Sequence, residues 1–240
     1  MRAAERFGTL CSKYPMPRGS KPKAFDAHHL KTQRTLVLIK PDGVQRGLIG
    51  DVLHRFERAG LKLVGLKMVW PSGALVERHY PKDRAYLLSI GEKAMKGMEK
   101  LGLPITKTAL EIGTWVRAQL GRYLSIGPVV TVVLQGTNAI ANVRQLVGTT
   151  DPLLADVGSI RGDLTIDTME LANYEGRSVR NLIHASSDLD EANREIRLWF
   201  RPDELHTYDT VVDKVLHDAE WDRSPEASRG AERDQSRRRR

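Results

Sequence analysis

A chain of 240 residues with one cysteine, Cys11, has no internal disulfide partner, so it holds together by burial rather than cross-links, and a reducing compartment suits it. No apolar run approaches the roughly 18 residues of a membrane span, and the first residues lack the uninterrupted apolar segment of a secretory signal. A cytoplasmic location without a membrane partner is expected. Two phosphate-binding signatures are also missing: there is no Gly-x-x-x-x-Gly-Lys-Ser/Thr, and no Gly-x-Gly-x-x-Gly follows a strand-like run. A nucleotide site built on a glycine-rich loop is therefore not expected. No His-Glu-x-x-His pattern or cysteine pair exists, and His28 and His29 lie in the N-terminal extension, so structural zinc is not expected and no metal-ligating residue is nominated.

What is present is ordinary globular composition, 40% apolar and 28% charged, and enough length for one core of useful size. The net charge of +8 suggests a polyanion partner until it is located. Residues 1–33 carry seven basic and two acidic side chains and residues 218–240 seven and six, which leaves 34–217 at only +2. Nucleic acid is not expected as a partner, and Arg237 to Arg240 read as a solvated end. Pro15, Pro17, Gly19 and the lysines of 1–33 show no periodicity and read as a partly disordered extension. From 218 onward mixed charge reads as a tail. The domain is 34–217.

Inside it, Arg34 to Lys40 is a strand-like run stopped by Pro41-Asp42-Gly43. Leu48, Ile49, Val52, Leu53 and Phe56 recur at helical spacing, which predicts a helix over 47–59 with Gly60 at its C-terminal cap. Lys62 to Trp70 alternates as a second strand, and Ser72 caps a short helix ending near Tyr80. Residues 84–125 read as helical pieces interrupted by Gly97, Gly102 and Pro104, and Pro128 to Leu134 as a buried strand. A helix over 138–147 and another from Asp188, with Glu191 at capping-box spacing, complete the pattern. The order β, α, β, α, β, α and a last strand predicts a small antiparallel α+β sheet with helices on one face, a split βαβ or ferredoxin-like plan.

Between Arg144 and Asp188 lies a stretch without periodicity, longer than the ~12–15 residues of an ordinary structureless loop, which marks it as functional. It holds Arg144, Thr150, Arg161, Asn181 and His184, and Lys40 is available from the end of the first strand. Two guanidiniums, an ammonium and a hydroxyl are what would hold a polyphosphate where no glycine loop does. A neutral imidazole is a good nucleophile toward phosphorus. Taken singly these residues have plainer readings: His184 as a structural histidine, Arg144 as a surface cation, Arg161 as a turn residue paired with Asp163, Lys40 as a strand-end charge.

Together they form an ordered set: Ile39-Lys-Pro-Asp-Gly-Val-Gln-Arg-Gly-Leu-Ile-Gly50, His79-Tyr80, Gly127-Pro-Val, Arg144, Gly148-x-Thr-x-Pro152, Ser159-Ile-Arg-Gly-Asp163 and Asn181-Leu-Ile-His184. This set resembles the nucleoside diphosphate kinase family, over about 34–202. The resemblance implies a ferredoxin-like four-stranded antiparallel sheet, and transfer of a γ-phosphate from a nucleoside triphosphate to His184 and then to a nucleoside diphosphate. It implies Lys40 and Asn181 on the sugar hydroxyls near the phosphates, Arg144, Thr150 and Arg161 on phosphate oxygens, and Tyr80 behind the histidine. Glu195 and Ser186 match the carboxylate and serine that position the histidine, and Tyr86 matches the aromatic residue that stacks the base. Mg²⁺ would be held mainly through the nucleotide phosphates, and a homo-oligomer, hexamer or tetramer, is implied. No general base is required, because a neutral imidazole loses no proton on attack.

Three departures from the family stand out. His184-Ala-Ser-Ser-Asp188 replaces the usual His-Gly-Ser-Asp-Ser, which predicts weaker Mg²⁺ binding unless Asp188 substitutes from one residue on. Residues 87–125, with Trp115 and Tyr123 among apolar positions, exceed the usual connection by some two dozen, as an enlarged helical lid or an altered subunit contact. Residues 164–180 are longer by roughly one hairpin. The alternatives to the kinase are a catalytically silent nucleotide-binding relative and a phosphohistidine donor to other proteins. Decay would strike His184, Lys40, Arg144, Thr150, Arg161 or Asn181 first, and all six are present.

Overall fold

A computed structural model describes residues 31–218. Most of the extension and tail expected at 1–33 and 218–240, Arg237 to Arg240 included, lies outside the described residues. β1 (Gln33–Ile39) pairs with β3 (Val129–Gly136) on one side and with the short β4 (Ile183–Ala185) on the other, and β2 (Lys62–Val69) pairs with β3. All pairs are antiparallel, in the order β2-β3-β1-β4. β2 and β4 are therefore the edges.

The central strands explain why alternation is weak in β1 and β3. Val37, Ile39, Val132 and Leu134 face one core, closed by Val52 and Phe56 of α2 (Ile49–Arg58) and Val143 and Val147 of α6 (Ala139–Val147). Leu36, Leu38 and Val133 face the other, closed by Val76 of α3 (Gly73–His79), Leu124 of α5 (Ala109–Ser125) and Ile196 and Trp199 of α9 (Leu189–Trp199). Helices thus cover both faces of the sheet, not the single face expected. A strand buried on both sides reads as a continuous apolar run.

The short α1 (Pro41–Gln45) starts on the proline that stops β1. Gly60 lies just past α2 at φ +83°, where a β-carbon is costly. Ser72 Oγ accepts from Leu75 N–H at 3.3 Å and caps α3. Gly97 does not interrupt anything: α4 (Arg84–Lys100) runs through it for 17 residues and turns back through Gly102 and Pro104 into α5. The two helices touch at Gly91 and Gly113, where an added β-carbon would fall 1.8 Å from the Ala109 carbonyl oxygen and 1.9 Å from that of Leu87. The stretch expected to be irregular is also ordered, with α7 (Ile160–Leu164) and α8 (Met169–Tyr174) inside it. Thr168 caps α8, a signal too short to register as periodicity. α10 (Val211–His217) follows near the end of the domain. No described helix is long and apolar enough to cross a membrane.

Candidate active site

Strand pairing places the candidate histidine. His184 on β4 is registered against Leu38 of β1, and directly opposed residues in an antiparallel pair share a face. Lys40, two positions beyond Leu38, continues that face, which α3, α5 and α9 cover. The approach to His184 is strained: buried Leu182 has φ +69°, in a tight turn closed by Ile183 N–H on the Asn181 carbonyl at 2.7 Å. A bulky side chain in this region costs ~1–3 kcal/mol. The surroundings hold it there, through Leu182 N–H on Asp42 Oδ2 at 3.1 Å and Lys40 N–H on the Leu182 carbonyl at 2.9 Å.

The histidine is oriented by a buried carboxylate. Glu195 on α9, 1% exposed, accepts from His184 Nε2 at 3.0 and 3.1 Å and from Ser186 Oγ at 2.6 Å. His79, at the end of α3 and part of the His79-Tyr80 block in which the sequence assigned the histidine no role, adds a contact. Its Nδ1 accepts from Trp199 Nε1–H at 3.4 Å and lies 3.2 Å from Glu195 Oε1. Burial, and then the nearby His184, push His79 down to about 3 against the pull of Glu195, so it is neutral. Burial alone would raise Glu195, but the attraction and hydrogen bond of His184, with His79 and Ser186, bring it down to about 2. A carboxylate so held fixes the proton of His184 on Nε2. Nδ1 makes no hydrogen bond among the described residues and carries the free lone pair.

The cations are held unequally. Lys40 Nζ donates to Asn181 Oδ1 at 2.6 Å, and Asn181 Nδ2 donates to the Thr150 carbonyl at 2.9 Å. Burial first, then Arg161 and Arg180 against the opposing Asp42, lower Lys40 to about 7. Arg161 is not the turn partner of Asp163, which pairs instead with Arg55 at 2.7 Å. Its guanidinium donates to the carbonyls of Asn181, Gly148, Thr149 and Ile183, at 2.6 to 3.2 Å. That uses four of five N–H groups and leaves one for a ligand. Burial lowers it to about 10. Gly162 beside it is required by crowding, since a β-carbon would fall 2.2 Å from the Asp156 carbonyl oxygen. Arg144 and the Thr150 side chain are exposed and make no hydrogen bond among the described residues.

Lys40, Tyr80, Tyr86, Arg144, Thr150, Arg161, Asn181, His184 and Glu195 all line one cavity of about 590 Å³, and Ser186 lies buried behind Glu195. The opposite wall is the α4/α5 hairpin, with Ile90 and Trp115, and α8 with its following turn. Asp188 does not reach the cavity as a substitute metal-facing carboxylate. Its Oδ1 caps α9 through Glu191 N–H at 2.9 Å and its Oδ2 takes Ser187 Oγ at 2.9 Å. Glu191 is a second acid on the wall besides Glu195, its Oε2 accepting Ser187 N–H at 2.7 Å. Among the described residues His79, His184 and Glu195 form the one group with metal-ligand proximity. Their nitrogen-rich set does not suit a hard cation that prefers oxygen.

A family model described as nucleoside diphosphate kinase matches residues 33–89 and 114–205, passing over the distal part of the hairpin. A nucleoside diphosphate kinase of Pyrobaculum aerophilum is 45% identical over 181 residues, covering 73% of this chain and 99% of that protein. One of Pyrococcus abyssi is 39% identical, covering 75% and 92%. Among solved structures, the NDP kinase from Pyrobaculum aerophilum superposes with a TM-score of 0.72 at 44% identity, over 73% of this chain and all of that one. A transition state mimic of the Borrelia burgdorferi enzyme with bound vanadate and ADP gives 0.64 at 36% identity, over 78% and 96%. With the buried carboxylate, the histidine and the cation-lined cavity on one sheet face, these matches show that the chain belongs to the nucleoside diphosphate kinase family.

Proposed function

We propose that the chain transfers the γ-phosphate of a nucleoside triphosphate to a nucleoside diphosphate through a phosphohistidine on His184. The observation that carries this reading is the His184–Glu195 pair, which leaves Nδ1 as the free nitrogen of a histidine on the cavity wall. In the first half reaction the Nδ1 lone pair forms a bond to the γ-phosphorus, the bond to the bridging oxygen breaks, and the diphosphate leaves with that electron pair. Positive charge developing on the ring is met through Nε2–H by Glu195. In the second half a terminal oxygen of the incoming diphosphate attacks and the imidazole is the leaving group.

Arg144, Thr150 and the remaining N–H of Arg161 hold phosphate oxygens, and Lys40 and Asn181 take the sugar hydroxyls and the adjacent phosphate. Tyr86, half-buried at the cavity edge, stacks the base, and Tyr80 backs the histidine. Mg²⁺ would enter as part of the nucleotide complex, where Ser187 and Glu191 of the cavity wall would meet its water shell. We read the enzyme as a homo-oligomer, hexamer or tetramer, in a reducing compartment such as the cytoplasm, to which a single cysteine is suited.

Incubation with Mg²⁺ and γ-labelled ATP, followed by unlabelled GDP, tests the reaction. Acid-labile label on the protein, recovered as GTP and absent in His184→Ala, is the expected result. ATP binding without labelled protein would instead make the chain a silent relative.

A further inference from the structure

Lys40 of the cavity wall and Arg180 beside it converge on one aromatic ring that the transfer reaction does not itself require. Tyr123, on α5, is 2% exposed. Lys40 Nζ lies 5.0 Å and Arg180 Cζ 4.6 Å from its ring centroid. Its hydroxyl has no hydrogen bond of good geometry among the described residues, although Asp42 and the Leu182 backbone lie near it. The ring engages both cations, because an aromatic face attracts a cation most strongly where water is excluded.

The three groups arrive from three places. Lys40 ends β1 and Tyr123 belongs to the helical hairpin. Arg180 comes from the turn after α8, where Asp167 Oδ2 accepts its backbone N–H at 2.6 Å and its carbonyl accepts from Thr165 Oγ1 at 2.9 Å. Asn181, next in sequence, holds Lys40 Nζ. The groups facing Lys40 are therefore Asn181, Asp42, Arg161, Arg180 and Tyr123. Burial and the two guanidiniums oppose its charge. The ring and Asp42 favour it.

We infer that Tyr123 is a positioning residue for Lys40, its ring holding the ammonium in place beside Arg180, so that nucleotide capture depends on docking of the α4/α5 hairpin. This rests on the reading of Lys40 as a nucleotide ligand.

The test is a double-mutant cycle on kcat/KM with Tyr123→Met and Lys40→Met, run across pH, alongside Tyr123→Phe and a polyfluorinated phenylalanine at position 123. Tyr123→Met is expected to lower kcat/KM about tenfold and to start the alkaline decline at lower pH. In the Lys40→Met background the same change is expected to cost less than about twofold, because the group it acts through is gone. Tyr123→Phe is expected to recover most of the loss, and the fluorinated ring, of nearly the same shape but without the negative face, to lose it again.

Equal losses from Tyr123→Met with and without Lys40, a Phe variant as poor as Met, or a fluorinated ring as good as Phe would each overturn the inference. Should Tyr123→Met fail to fold, the fluorinated ring decides. A Lys40→Met enzyme with unchanged kcat/KM would instead sink the role of Lys40 itself, and the inference with it.

Discussion

At the scale of single residues, the site works by fixing protons. Glu195 is hydrogen-bonded by His184 and Ser186 and contacted by His79, and with these donors it stays ionised although buried. Its charge decides which nitrogen of His184 is free. Glu195→Gln keeps the shape but presents an amide that can accept as well as donate. Phosphoenzyme formation is expected to slow by about 10–100-fold, as for other groups that orient a reacting residue, and rapid-quench measurement of labelled protein reads it directly. Lys40 gives a second prediction. With its free-site value near 7 and phosphates favouring the ammonium, binding above pH 7 must take up a proton, and well below pH 7 it must not. Calorimetry at pH 8.5 in buffers of different ionisation enthalpy should show that uptake, and Lys40→Met should abolish it.

Elements carry the site through their contacts. The α4/α5 hairpin closes on Gly91 and Gly113, where no side chain fits between the backbones. Gly91→Ala should cost about 2 kcal/mol or more by forcing the helices apart, lowering the unfolding midpoint by roughly 4–8 °C. A scanning calorimeter checks this. The turn after α8 depends on Asp167, which takes Arg177 on both oxygens at 2.6 and 2.9 Å and Arg180 N–H at 2.6 Å. Its partners hold its carboxyl below the ordinary aspartate range, Arg177 most strongly. Asp167→Ala is expected to raise the nucleotide KM, because Arg180 and Asn181 lose their anchor, while the phosphohistidine still forms at saturating ATP. Amide exchange localised to 165–181 is the structural readout.

At the scale of the whole molecule, part of one sheet edge is uncovered among the described residues. The C-terminal segment covers the start of β2, with His206 N–H on the Val64 carbonyl at 2.7 Å, Tyr208 hydroxyl on that of Leu63 at 2.7 Å, and Lys62 Nζ on Asp213 at 3.0 Å. Beyond it Leu66, Met68 and Trp70 alternate outward, each at least half exposed. An apolar, partly unpaired edge is a liability for a monomer. If the homo-oligomer uses this edge, Met68→Lys should shift the sedimenting species to a smaller size. An unchanged assembly would move the contact to another surface.

Much of this was written in the chain itself. The periodicities of Arg34–Lys40, Leu48–Phe56 and Pro128–Leu134 and the caps at Ser72 and Asp188 determined the order of elements, because each is a local match between side chains and backbone geometry. The ordered blocks around Lys40, Arg161 and His184 gathered nine residues that line one cavity. The tertiary structure alone decided what those residues touch. Helices on both faces of the sheet follow from burial that a continuous apolar run leaves ambiguous. Arg161 is pinned by four carbonyls, Asp188 is spent on a helix cap, His79 lies against Glu195, and Tyr123 meets Lys40 from the hairpin, partners that neither residue's place in the sequence reveals. Contacts made across 31 to 141 positions of chain depend on packing that no local pattern encodes.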